Sequence, residues 1–276
     1  MKITDINKLK DIANKVRIDI VNMVYEAGSG HPGGSLSIAD ILTVLYFNQM
    51  NIDKNKPKEP SRDRFVLSKG HCSPALYSIL IEKGFVDREE LIKFRKIDGI
   101  LQGHPDMTKV TGVDMTTGSL GQGLSVANGM TLSSKMTHEG YRVYCLLGDG
   151  EIEEGQVWEA AMTASKYKLN NLCAIVDYNG LQIDGSIEDV KGMNNIDSKF
   201  KSFGFNVIKC DGNDIEELIK AFDSAKLCKE KPSVIIAKTI KGKGVSFMEN
   251  KVEWHGKAPN EEEYKSAIQE LEREAK

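Results

Sequence analysis

The sequence predicts an α/β fold, a doubly wound and mostly parallel sheet with helices on both faces. Three observations predict it. Short apolar runs alternate with longer helical patterns, most runs are continuous rather than alternating, and no repeat, low-complexity tract or Pro/Ser-rich linker divides the chain. A strand covered on both faces reads as an unbroken apolar run. Alternation of strand with helix implies parallel strands joined by right-handed crossovers.

The elements follow in order. Ile6, Leu9, Ile12, Val16, Ile20, Met23 and Val24 recur at three- and four-residue steps, a helix that stops at Gly28-Ser29-Gly30. A second helix is predicted from Ser37, where Ser37 and Asp40 have capping-box spacing, with Ile41, Leu42, Leu45 and Tyr46 on its apolar face. Strands are predicted at Phe65–Leu67, Val143–Leu147, Leu172–Val176, Phe205–Ile208 and Val234–Ala237. Helices are predicted at Glu151–Tyr167 and at Asp214–Cys228, the latter opening on a capping box of Asp214 and Glu217. An amphipathic helix near Glu261–Glu274 carries Tyr264, Ile268 and Leu271. The parse is one domain over residues 1–276, with an N-terminal helical extension to about residue 60 and a C-terminal helix at about 260–274. The segment Gly118–Met136 is crowded with small residues, among them Gly121, Gly123 and Gly129. Each helical glycine costs about 1 kcal/mol against alanine. The compensation is either tight packing in the core or close approach to another backbone or a cofactor.

Composition excludes several classes. The 276 residues are 40% hydrophobic and carry a net charge of −3 with both signs interspersed, so no field draws nucleic acid. Charges break residues 1–17, and no secretory signal is expected. No apolar run reaches the roughly 18–20 residues that span a bilayer. Five cysteines, widely spaced and without a CxxC pair, read as buried free thiols in a reducing cytoplasm rather than disulfides or a zinc site.

Chemistry concentrates at predicted strand ends. Gly148-Asp149-Gly150 follows the second strand, and ligands of open parallel sheets bind at such carboxyl ends. The next strand delivers Asn179 to the same edge, 30 positions later. A carboxylate with an amide oxygen suits Mg²⁺, which prefers oxygen and keeps positions open for phosphate. Taken singly, each is also an ordinary turn. Of five histidines, His31, His71 and His104 follow glycine and His255 precedes one, whereas His138 has ordinary surroundings and reads as solvated surface. Four histidines in loops point to a shared polyanion or sugar site, where imidazole donates to oxygens or shuttles a proton.

In this order, Ser29-Gly30-His31-Pro32-Gly33, Leu67-Ser68-Lys69-Gly70-His71, Gly103-His104-Pro105, Thr116–Gly123, Gly148–Gly155, Asp177–Asn179 with Ile183-Asp184-Gly185, and Trp254-His255-Gly256 resemble the thiamine-diphosphate-binding domain of the transketolase family over nearly the whole chain. The resemblance implies the thiamine-diphosphate-binding fold and two-carbon ketol transfer from a ketose phosphate to an aldose phosphate. The cofactors implied are thiamine diphosphate and Mg²⁺, with Ca²⁺ or Mn²⁺ as substitutes. By position, Asp149, Asn179 and the Leu181 carbonyl would hold the metal. Gly150, His71 and His255 would contact the diphosphate, and Gly118, Ser119 and Leu120 would line the aminopyrimidine. His31, His104 and His255 would face the sugar and the reacting carbon, and Glu154 would stand at a subunit interface. Ser119 replaces the family's usual proline, and Gly180 replaces a commonly larger residue.

The family also needs a glutamate from a pyrimidine-binding domain, for which this sequence has no match. The expectation is therefore a split enzyme of the pentose phosphate pathway, inactive without a C-terminal subunit and assembled as α2β2 in the cytoplasm, with no nucleic acid or membrane partner. A split enzyme for a sulfosugar or apulose phosphate is a second reading. Three readings rank lower. The α chain of a 2-oxo-acid dehydrogenase does not call for the Gly-His-Pro pairs at His31 and His104. A deoxyxylulose-phosphate synthase is usually a single longer chain whose first histidine is not in a Gly-His-Pro-Gly loop. A cofactor-binding sensor need not keep four sugar-facing histidines.

Overall fold

The computed structural model describes residues 2–274. Its strands are β1 (Arg64–Leu67), β2 (Val143–Gly148), β3 (Leu172–Tyr178), the two-residue β4 (Leu181–Gln182) and β5 (Gly185–Ser186), β6 (Asn206–Asp211) and β7 (Ser233–Lys238). The five longer ones are those predicted. They form one sheet in the order β1-β2-β3-β7-β6, parallel at every pairing. The β4–β5 hairpin was not anticipated, since two-residue strands carry no readable period.

The helices are α1 (Ile6–Ala27), α2 (Pro32–Leu36), α3 (Ala39–Val44), α4 (Ser73–Lys83), α5 (Gly123–Thr137), α6 (Gly155–Lys166), α7 (Ile187–Val190), α8 (Ile196–Ser202), α9 (Ile215–Leu227) and α10 (Glu261–Glu274). Successive strand residues face opposite layers. Phe65, Leu67, Tyr144, Leu146, Cys173 and Ile175 pack with α1, α3, α4 and α9. Val66, Cys145, Leu147, Ala174 and Val176 pack with α5, α6 and α8. The chain steps in one direction through β1, β2, β3 and β6, then turns back to β7. Right-handed crossovers require the reversal to change faces, and α9 lies opposite α5 and α6 as that requires.

Several predicted details change. Ser37 does not cap a helix: α3 starts at Ala39, and the Ser37 hydroxyl donates to the Gly34 carbonyl (3.0 Å) and to Asp177 (2.8 Å). Asp40 pairs with Arg17 and accepts from Asn213 (2.9 Å), so tertiary partners take both members of that capping box. At α9 Asp214 does cap, accepting from Glu217 N–H (2.9 Å), while the Glu217 carboxylate reaches the Asp211 amide (2.7 Å). The helix predicted from Glu151 is a 3₁₀ turn over Glu151–Glu153, then α6 from Gly155. The small-residue segment is helical only from Gly123, where an added Cβ would lie 2.8 Å from the Ser68 Cα, so backbone approach is the reason for that glycine. All five cysteines are free, but Cys210 and Cys228 are only half-buried. His138 is exposed at the end of α5. Among the described residues no helix is long and apolar enough to cross a membrane.

Candidate functional site

The carboxyl ends of β1, β2, β3 and β7 open into one cleft of about 380 Å³, which includes Lys69, His71, Asp149, Asn179, Lys241 and His255. The right-handed parallel topology causes this, since every loop leaving a strand emerges on the same edge.

Asp149 is 2% exposed. Its two oxygens accept from backbone only, Gly150 N–H (2.9 Å) and Gly180 N–H (2.6 Å). The second bond ties the β2 loop to the β3 loop. Gly180 has φ +80, in the region side chains avoid, which accounts for a glycine there. Burial, and then the neighbouring Asp177 carboxylate, push Asp149 up to about 7. Lys69, the buried cation nearby, is committed to Asp177 (2.6 Å) and the Gly34 carbonyl (2.8 Å). Asp149 is therefore a buried carboxylate with no cation of its own. Among the described residues no group of three or more His, Cys, Asp or Glu could hold a metal. A metal here must draw on amide and carbonyl oxygens and on the ligand itself, which is Mg²⁺ chemistry. The donor set fits.

Asp177, fully buried, orients that set. It accepts from Lys69, Ser37 (2.8 Å), Asn179 Nδ2 (3.0 Å) and Thr239. Burial would raise its carboxyl, but Lys69 and the hydroxyl donors override this and hold it below the usual range. A carboxylate only accepts, so it selects the NH₂ side of the Asn179 amide and turns Oδ1 away from itself. Oδ1 meets Leu181 N–H (3.1 Å), and the Leu181 carbonyl accepts from Lys241 Nζ (3.3 Å).

Three of the histidines expected in loops meet above this set, His31 just before α2 and His71 and His255 in 3₁₀ turns. Ring centroids of His31, His71 and His255 lie 5.1, 5.2 and 5.5 Å apart pairwise. His104 stands apart from the triangle, exposed, with its ring against Gly118: an added Cβ there would come within 3.2 Å. The Gly118–Leu120 strip is exposed, and Gly70 has no side chain because Thr117 and Gly118 lie on it. Lys241 Nζ sits 3.0 Å from His255 Nδ1, so Nδ1 accepts and the ring's proton is on Nε2. His31 Nδ1 is buried without a partner.

Burial, then neighbouring positive groups, lower His31 and His71 to about 4 and His255 to about 3. His104 is lowered too, by burial and then His71 and Arg95. These rings are neutral at pH 7. An unfolded histidine titrates near 6.5 and binds the proton the native ring refuses. The triangle therefore opposes folding increasingly as pH falls from about 6.5 towards 4, while Asp149, raised instead, acts in the opposite sense. Ring NMR is expected to show His31, His71 and His255 neutral down to pH 5.5. Protonation near 6.5 would contradict this geometry.

Lys69, Asp177 and Lys241 were not assigned roles from sequence. Lys69 and Asp177 lie inside the family's motifs, and Lys241 begins a Lys-Gly-Lys-Gly loop after β7, the strand-end signal that marked Asp149.

The family model described as the transketolase thiamine diphosphate binding domain matches residues 8–275. The chain belongs to this family. It is 44% identical over 94% of its length to an apulose-4-phosphate transketolase subunit from Phocaeicola vulgatus, covering 92% of that protein. It is 45% identical over 96% of its length to a 6-deoxy-6-sulfo-D-fructose transketolase subunit from Clostridium sp., covering 97% of it. The transketolase structure from Campylobacter jejuni superposes with a TM-score of 0.92 at 35% identity, covering 98% of this chain. The chain spans 43% of that longer transketolase. Transketolase-family membership accounts for the strand-end cleft and brings thiamine diphosphate with it as the ligand class.

Proposed function

We propose that this chain is the diphosphate-binding subunit of a two-chain transketolase, which moves a two-carbon ketol unit from a ketose phosphate to an aldose phosphate. The observation that carries the reading is the juxtaposition of three neutral histidines with the Asp149–Asn179 oxygen set in one cleft. The family match and the length shared with two transketolase subunits support it over a 2-oxo-acid dehydrogenase chain.

Asp149, Asn179 and the Leu181 carbonyl hold Mg²⁺. Gly150, His71 and His255 contact the diphosphate, with the buried Lys69 and Lys241 supplying positive potential. Gly118, Ser119 and Leu120 line the aminopyrimidine. The cofactor's contribution when bound is stabilisation of carbanion character beside a former carbonyl. His31 and His104, being neutral, accept and return hydroxyl protons of the sugar, and His255, whose Nδ1 is taken by Lys241, acts by donating its Nε2–H. The C-terminal subunit carries the pyrimidine-binding domain, Glu154 lies at the contact with it, and the assembly is α2β2, cytoplasmic and part of the pentose phosphate pathway.

Two measurements test this. The purified chain with cofactor and Mg²⁺ is expected to show no two-carbon transfer until the partner subunit is added. Transfer by the chain alone would sink the two-chain assignment. In the reconstituted complex, His104→Ala is expected to keep cofactor affinity and lose turnover on the order of 100-fold. Full activity would remove His104 from the site.

A further inference from the structure

One cation beside the histidines, Arg95, has no carboxylate partner among the described residues and lies only over the Phe94 ring, 5.5 Å from its centroid. Arg95 lies in the loop that leads to Gly103-His104-Pro105, and its backbone has φ 59, a left-handed conformation held by its N–H donating to the Leu101 carbonyl (2.8 Å). Such a backbone is unusual away from glycine and recurs at ligand sites. The guanidinium packs on Gly103, where an added Cβ would come within 2.8 Å of Cζ and of Nη2. The bare Gly103 thus lets Arg95 lie along the loop that carries His104. Nε is shut off from solvent and has no partner. No carboxylate among the described residues forms an ion pair with it. Its charge also reaches His31 and His104, where, after burial and His71, it helps keep both rings neutral. The guanidinium is half-buried in a strained loop, and its terminal nitrogens, rather than the sealed Nε, are what an acceptor arriving from outside can meet.

We propose that Arg95 is a substrate-recognition residue whose guanidinium donates to a hydroxyl oxygen of the sugar held between His31 and His104. The inference rests on the transketolase reading and extends it. The two histidines are neutral and exchange protons, whereas arginine stays charged and only donates, so the pair of functions is divided between residue types. A hydroxyl rather than the terminal phosphate is the expected partner, because Arg95 neighbours the histidines assigned to the reacting end of the sugar.

The test uses the reconstituted two-chain complex with wild-type, Arg95→Met and Arg95→Lys subunits. Donors are a five-carbon ketose phosphate and the same ketose without phosphate. Arg95→Met is expected to raise KM for both donors by about 10–100-fold, the worth of a charge-assisted hydrogen bond, with kcat within a few-fold and cofactor affinity unchanged. Arg95→Lys should recover part of the loss. An unchanged KM overturns the proposal, as does a rise confined to the phosphorylated donor or a parallel loss of cofactor affinity. If the wild-type complex transfers no two-carbon unit, the functional reading falls and this inference with it. Wild-type transfer with an indifferent Arg95→Met overturns the inference alone.

Discussion

Asp149→Asn is expected to weaken Mg²⁺-dependent thiamine diphosphate binding by at least about 100-fold, more than the loss typical of a residue that only supports a ligand. The asparagine keeps the size of the side chain and one carbonyl oxygen. It removes the negative charge and replaces one acceptor by an NH₂ group, which then faces Gly150 N–H or Gly180 N–H. Asp149 is buried with no cationic partner of its own, so the charge it holds is available to a metal and to little else. Calorimetric titration of the chain with cofactor, with and without Mg²⁺, measures the effect. Binding within threefold of wild type, or a loss that is the same without metal, would remove Asp149 from the metal site. The Mg²⁺-free titration also separates this from damage to the two loops, which would weaken both conditions alike.

The largest stability effect is expected at Asp177. Asp177→Leu removes the acceptor shared by Lys69, Ser37, Asn179 and Thr239, and leaves Lys69 as a buried, unpaired ammonium. Breaking a buried ion pair from one side costs about 3–5 kcal/mol. Denaturant unfolding should show a loss of that size. The double variant Lys69→Met/Asp177→Leu should recover much of it, because no charge is then stranded. A loss below about 1 kcal/mol for Asp177→Leu would place the pair among exposed ones. Equal instability of the double variant would assign the cost to packing instead. Asp177→Leu should also impair Mg²⁺ binding, since the Asn179 amide loses the carboxylate that turns its oxygen outward.

The amino-acid sequence by itself determined the five sheet strands, most of the long helices, though not α4, and the edge of the sheet at which the cleft opens. Continuous apolar runs, helical periods and Gly-Asp-Gly at a strand end are local signals, and each is legible within a few neighbouring residues. The pairing of Asp149 with Asn179 was legible too, because one crossover helix separates them and parallel topology returns the chain to the same edge. Only the tertiary structure decided what long-range contacts decide. Ser37 had the spacing of a helix cap, yet its hydroxyl is drawn to Asp177, 140 positions away. Lys69 and Asp177 are 108 positions apart, and nothing local to either reveals the pair. The four loop histidines gave no sign of which would meet. The crossovers bring His31, His71 and His255 into a triangle and leave His104 beside Gly118 and Arg95. Local backbone preference places the strands and most of the long helices. Burial then determines which polar groups must find one another, and that depends on distances no sequence window contains.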